Sequence, residues 1–107
     1  MSEFHDVARL GDLAEGSPIR VVAGGTPMAL VLTEGEVYAI DDRCSHADVS
    51  LSEGDVEGCF IECWLHGSQF DLRTGEPTCL PATEPVAVFT TKIDGSGPDA
   101  RVLVNVN

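Results

Sequence analysis

Two short stretches, Asp41-Asp42-Arg43-Cys44-Ser45-His46 and Cys63-Trp64-Leu65-His66-Gly67-Ser68, decide what scaffold this chain must build. Each sets one thiol beside one imidazole, Cys44 with His46 and Cys63 with His66. Sixteen residues lie between His46 and Cys63, so the pattern reads C-x-H-x16-C-x2-H. Each cluster follows a predicted strand or turn. That order suits two loops facing each other at one end of a β scaffold.

Outward from these clusters the chain is a series of short β-branched or apolar runs broken by Gly, Pro and Asp. Ile19-Arg20-Val21-Val22 follows Gly16-Ser17-Pro18. Ala29-Leu30-Val31-Leu32 and Val37-Tyr38-Ala39-Ile40 flank Glu34-Gly35, a predicted tight hairpin. Phe60-Ile61 and Phe70-Asp71-Leu72 stand either side of the second cluster. Residues 86–93 and Val102-Leu103-Val104-Asn105-Val106 read as a closing pair joined by Asp94-Gly95-Ser96-Gly97-Pro98. Asp12-Leu13-Ala14-Glu15 reads as one helical turn, and no segment sustains a 3.6-residue apolar period. Gly95-Ser96-Gly97-Pro98-Asp99-Ala100 fits the dinucleotide fingerprint G-x-G-x-x-A only on paper, because a strand and no helix follows it. The predicted class is an all-β sandwich or barrel-like domain.

Composition bounds the rest. The chain has 107 residues, the size of a single domain spanning 1–107. Six Lys+Arg against eighteen Asp+Glu leave a net charge of −12, which argues against nucleic acid or an anionic membrane surface as partner. At 43% hydrophobic residues it is too apolar for a disordered acidic tail. No basic and apolar leader opens the sequence, and no apolar run approaches the roughly 20 residues of a membrane helix. A cytoplasmic, monomeric protein is the expectation. In a reducing compartment its four cysteines read as metal ligands or buried thiols and not as disulfides.

Two metal chemistries fit two thiolates and two imidazoles. One zinc ion held by all four residues would make a structural Cys2His2 site, although the interleaved order is unusual for that class. Two irons bridged by two sulfides would place both cysteines on one iron and both histidines on the other. Neutral imidazoles in place of two thiolates make the centre less negative, which raises its reduction potential.

The pattern Cys44-x-His46…Cys63-x2-His66-Gly67 resembles the Rieske [2Fe–2S] motif. Leu51-Ser52-Glu53-Gly54, Phe70-Asp71-Leu72-Arg73-Thr74-Gly75 and Leu80-Pro81-Ala82 are similar to stretches of the Rieske-type ferredoxins of bacterial ring-hydroxylating dioxygenase systems. The resemblance implies a Rieske-type antiparallel β-sandwich whose cluster-binding subdomain, about 41–82, holds two ligand loops at one tip. Cys44 and Cys63 would bind one iron and His46 and His66 the other, with Leu80-Pro81 forming a third, covering loop. It implies a one-electron carrier, itself no enzyme, between a flavin-dependent NAD(P)H reductase and a terminal non-haem iron oxygenase, with the electron passing on the histidine side. A ferredoxin serving another acceptor, or linked to iron–sulfur assembly, would carry the same motif. A zinc-stabilised interaction module is the alternative from another class.

Departures from the family pattern place the chain within it. Respiratory Rieske proteins tie their loops with a disulfide, and Val49 and Leu65 occupy the matching positions here. High-potential members set a tyrosine hydroxyl on a cysteine sulfur where this chain has Phe70. Ser68 remains to donate to a bridging sulfide. Fewer hydrogen bonds to sulfur put the expected potential near the low end of the Rieske range, about −150 mV. Cys59 and Cys79 fall outside the motif and read as buried thiols, and His5 as a plain N-terminal residue. Trp64, between Cys63 and His66, reads equally as packing beneath its loop or as a partner contact. The acidic surplus reads as a solubility device that also steers the chain toward basic docking surfaces.

Overall fold

The computed structural model describes residues 4–43, 50–64, 69–78 and 85–105. Among the described residues nine strands run β1 (Phe4–Arg9), β2 (Ile19–Ala23), β3 (Thr26–Thr33), β4 (Glu36–Asp41), β5 (Asp55–Glu57), β6 (Phe60–Glu62), β7 (Gln69–Asp71), β8 (Val88–Asp94) and β9 (Arg101–Asn105). Six form one sheet in the order β1-β9-β8-β4-β3-β2, and its two outer strands approach each other. The remaining three form a small sheet, β5-β6-β7. Every pairing between these strands is antiparallel. The all-β expectation holds.

Turn chemistry sets the register. Ala23 pairs Thr26 across Gly24-Gly25, and Thr33 pairs Glu36 across Glu34-Gly35. Both central residues of each turn have positive φ, 56° and 82° in the first and 52° and 77° in the second. That is the type I′ geometry whose twist matches the flanking strands.

The unbroken apolar run Met28–Leu32 has a structural reason, since β3 is covered on both faces. Met28 and Leu30 face a core completed by Ala23, Ala39, Val102 and Val104. Ala29 and Val31 face a second core with Ile40, Leu51, Ile61, Cys63, Phe70, Leu72 and Val86. The second core seats the small sheet on the large one. Hydrogen bonds between hairpin tips reinforce the seat. Thr33 Oγ1 donates to the Gly58 carbonyl at 2.7 Å, and the Cys59 thiol donates to the Glu34 carboxylate at 2.8 Å.

One expectation is corrected. The helical turn lies at Leu10–Asp12, a 3-10 helix, and not over Asp12–Glu15. Asp12 accepts from the backbone N–H and the guanidinium of Arg9, so it closes the turn behind it and caps nothing ahead. Past the buried Leu13 the chain is drawn alongside β3, where Glu15 bridges Leu32 and Gly16 N–H donates to the Leu32 carbonyl at 2.8 Å. Strands β1 and β5 form where the sequence showed no apolar run. Residues Gly95 to Ala100 form the bend and turn between β8 and β9, as expected.

Candidate metal centre

Each half of the motif sits in a segment whose ends are held together by backbone pairing. Arg43 and Ser50 form an isolated antiparallel bridge, which closes the segment containing Cys44 and His46 at its base. Glu62 pairs Gln69 across β6 and β7, which closes the segment containing Cys63 and His66. A third contact, Thr78 N–H to the Gln69 carbonyl at 2.8 Å, holds the chain just before Cys79, Leu80 and Pro81. The second and third of these contacts share Gln69, at one end of the small sheet.

Among the motif residues Cys63 is described. It follows β6 directly, is a free thiol and is fully buried in the second core. Cys44, His46, His66 and Ser68 lie outside the described residues, as do Cys79, Pro81, Val49 and Leu65. Among the described residues no three metal-ligating side chains converge, since three of the four motif residues are not among them. Phe70 is fully buried in the same core as Cys63 and has no hydroxyl to offer a sulfur. Trp64 is 52% exposed.

Backbone proximity explains the glycine that ends two of the similar stretches. A Cβ on Gly54 would overlap the carbonyl of Glu62, the residue before Cys63. Gly75, at φ 79°, would bring a Cβ onto the Val86 carbonyl, while Val86 N–H donates to the Gly75 carbonyl at 2.8 Å. Glycine is required at both places because backbone meets backbone.

Sequence reasoning missed Asp42. Its carboxylate is only 3% exposed, with Oδ2 3.1 Å from the Arg20 Nε and Oδ1 accepting the Ser52 N–H at 2.8 Å. No signal within Asp41-Asp42-Arg43 marks the middle residue as buried, because its partners stand 22 and 10 positions away. Of the two thiols outside the motif, Cys59 is buried as expected. The Glu34 carboxylate that accepts its proton, with burial adding to the effect, holds it above the usual thiol range. The half-buried His5 lies in β1 opposite Val104.

The donor set fits a Rieske centre. Two thiolates and two imidazoles are its ligand chemistry, and Cys63 is both unpaired by disulfide and screened from water. A family model described as the Rieske [2Fe-2S] domain matches residues 3–90. The anthranilate 1,2-dioxygenase ferredoxin subunit of Burkholderia cepacia is 41% identical over 106 residues, covering 99% of this chain and 94% of that one. The ferredoxin of carbazole 1,9a-dioxygenase from Nocardioides aromaticivorans IC177 superposes with a TM-score of 0.88 at 37% identity, covering 94% and 95% of the two chains. A ferredoxin in a complex of reduced oxygenase and oxidized ferredoxin of carbazole 1,9a-dioxygenase superposes at 0.79, with 34% identity and coverage of 92% and 99%. The chain therefore belongs to the Rieske [2Fe–2S] family, among the ferredoxin components of ring-hydroxylating dioxygenase systems.

Proposed function

We propose that this protein carries single electrons from a flavin-dependent NAD(P)H reductase to a terminal ring-hydroxylating oxygenase, as one domain spanning residues 1–107. The observation that carries the reading is the end-to-end correspondence with stand-alone ferredoxins. The relatives it matches are ferredoxin components of dioxygenase systems, and the chain acts as a carrier and not as an enzyme.

Cys44 and Cys63 would hold one iron of the Rieske cluster, and His46 and His66 the other. When bound, the group supplies one-electron exchange without bond making in a substrate. The protein's own contribution is placement. Cys63 presents its sulfur from a dry core, where β6, Leu51, Phe70 and Leu72 fix it. By the family resemblance Ser68 would be a hydrogen-bond donor to the cluster, and Leu80-Pro81 would be the loop that covers it. Phe70 withholds a hydroxyl, so the potential falls toward about −150 mV.

Directly after Cys63 the chain emerges into solvent at Trp64. An exposed indole beside a ligand loop is a contact for the redox partner, in a transient interface of less than roughly 1,200 Å². Partner association is brief, and the carrier is a cytoplasmic monomer that binds neither nucleic acid nor membrane. No helix among the described residues is long and apolar enough to cross a membrane.

The direct test is elemental and kinetic. The purified protein is expected to be red-brown with two irons and two acid-labile sulfides per chain, as a [2Fe–2S] domain requires. It is then expected to support turnover by a reductase and oxygenase that are inactive together without it. Trp64→Ala should slow electron transfer while leaving the cluster spectrum unchanged. Colourless protein with one zinc, or no turnover with any reductase–oxygenase pair, would overturn the reading.

A further inference from the structure

A carboxylate in a protein interior is costly unless hydrogen bonds and a counter-charge compensate it. Asp42 is such a group, and two of its partners, Leu51 and Ser52, follow closely on residues 44–49 in the chain. Its Oδ1 accepts the Ser52 N–H at 2.8 Å and its backbone carbonyl accepts the Leu51 N–H at 2.6 Å. Its own N–H donates to the Pro27 carbonyl at 3.3 Å, which anchors it to the start of β3. Among the described residues, both backbone donors at its oxygens therefore belong to the chain immediately past residues 44–49 and the Arg43–Ser50 bridge. The Arg20 guanidinium, 3.1 Å from Oδ2, is 55% exposed and mainly offsets the charge, because solvent screens such a pair.

We propose that Asp42 is the positioning residue of the first ligand loop: it clamps the outgoing chain to the returning chain and so sets the span across which Cys44 and His46 are presented. The inference rests on the assignment of those two residues as ligands. The clamp acts through the hydrogen bond from Ser52 and not through net charge. Truncating the side chain would leave the Ser52 N–H without its acceptor, whereas asparagine keeps a carbonyl oxygen at the same reach.

The test compares Asp42→Ala, Asp42→Asn and Cys44→Ala in the cluster-loaded protein. It reads the electron paramagnetic resonance spectrum of the reduced form, amide hydrogen exchange across residues 43–52 and the thermal midpoint. Asp42→Ala is expected to shift the spectrum and to speed exchange in that segment about tenfold, as loss of one buried acceptor allows. Asp42→Asn is expected to restore both. An alanine variant that melts earlier but keeps the parent spectrum and exchange would overturn the proposal, as would an asparagine variant that behaves like alanine. Should the alanine variant not fold, Asp42→Glu serves in its place. It keeps the charge but displaces the acceptor, and is expected to shift the spectrum where Asn does not; the reverse order overturns the clamp. Loss of the [2Fe–2S] spectrum in Cys44→Ala upholds the ligand assignment, so that unmoved Asp42 spectra then defeat the clamp alone. Retention of it overturns both.

Discussion

Cys59 shows how one side chain can belong to the fold without belonging to the redox centre. It stands at the opposite end of β6 from Cys63, in the two-residue turn where Gly58 has a φ of 60°. Its thiol donates to Glu34, and the Tyr38 hydroxyl lies 3.9 Å from its sulfur. The hydrogen bond to Glu34 and burial both keep the thiol protonated, and burial together with Cys59 raises Tyr38 as well. A group whose pKa is raised on folding stabilises the native state fully below its unfolded value, about 8.5 for a thiol. That stabilisation is lost as pH climbs from there through the folded value. Thermal midpoints are therefore expected to decline above about pH 8.5, with Tyr38 contributing above about pH 10. Cys59→Ser keeps a hydroxyl donor for Glu34 and does not titrate in this range. Its stability curve should be flatter than the parent's between those two pH values. Parallel curves would show that Cys59 does not contribute to the alkaline limb.

At the scale of elements, β6 is where the fold and the site meet, and two glycines near it separate their demands. Gly58 is strained for other residues by its positive φ alone, since a Cβ there meets nothing within 4 Å. At Gly54 a Cβ would strike the Glu62 carbonyl, so β6 itself must move. Gly54→Ala is expected to cost about 1–3 kcal/mol, the range for forced overpacking. Gly58→Ala should cost about 1 kcal/mol, the range for a strained φ. Denaturant melts should find both variants less stable, but only Gly54→Ala should shift the paramagnetic spectrum. A spectrum unchanged in Gly54→Ala would mean that β6 does not set the Cys63 position. The sequence announced β6, β3 and β4 through their apolar content, and the hairpin through Glu34-Gly35. It could not announce β5, which has one apolar residue, or β1, where His5, Asp6 and Arg9 interrupt the pattern. Both are strands because neighbours pair with them, Phe60–Glu62 in one case and Arg101–Asn105 in the other. The spacing of the four motif residues stands out in the sequence, and of the four Cys63 is among the described residues. Asp42 was not legible there, because its burial is created by Arg20 and Ser52 only after the chain has folded.

For the molecule as a whole, the net charge of −12 is spread unevenly. Arg9, Arg20, Arg73 and Arg101 are each paired with an aspartate, so much of the positive charge is neutralised where it stands. Asp55 and Glu57 on the small sheet and Glu53 just before it are exposed, and Asp55 lies directly across from Glu62. Like charges in a cross-strand pair destabilise a sheet, by about 0.2–1 kcal/mol relative to a neutral pair. Stability alone gives no reason to keep this pair, whereas steering toward a basic partner does. Asp55→Asn is therefore expected to raise the thermal midpoint slightly and to slow association with the reductase or oxygenase. The rate for the parent should fall as salt rises from about 50 to 200 mM, where the Debye length shortens to less than 10 Å. The slope for Asp55→Asn should be shallower, and neither change should move the cluster spectrum. Stopped-flow reduction at several ionic strengths distinguishes this from a charge that only maintains solubility. If the two proteins show the same rate and the same salt slope, the acidic edge of β5 takes no part in docking.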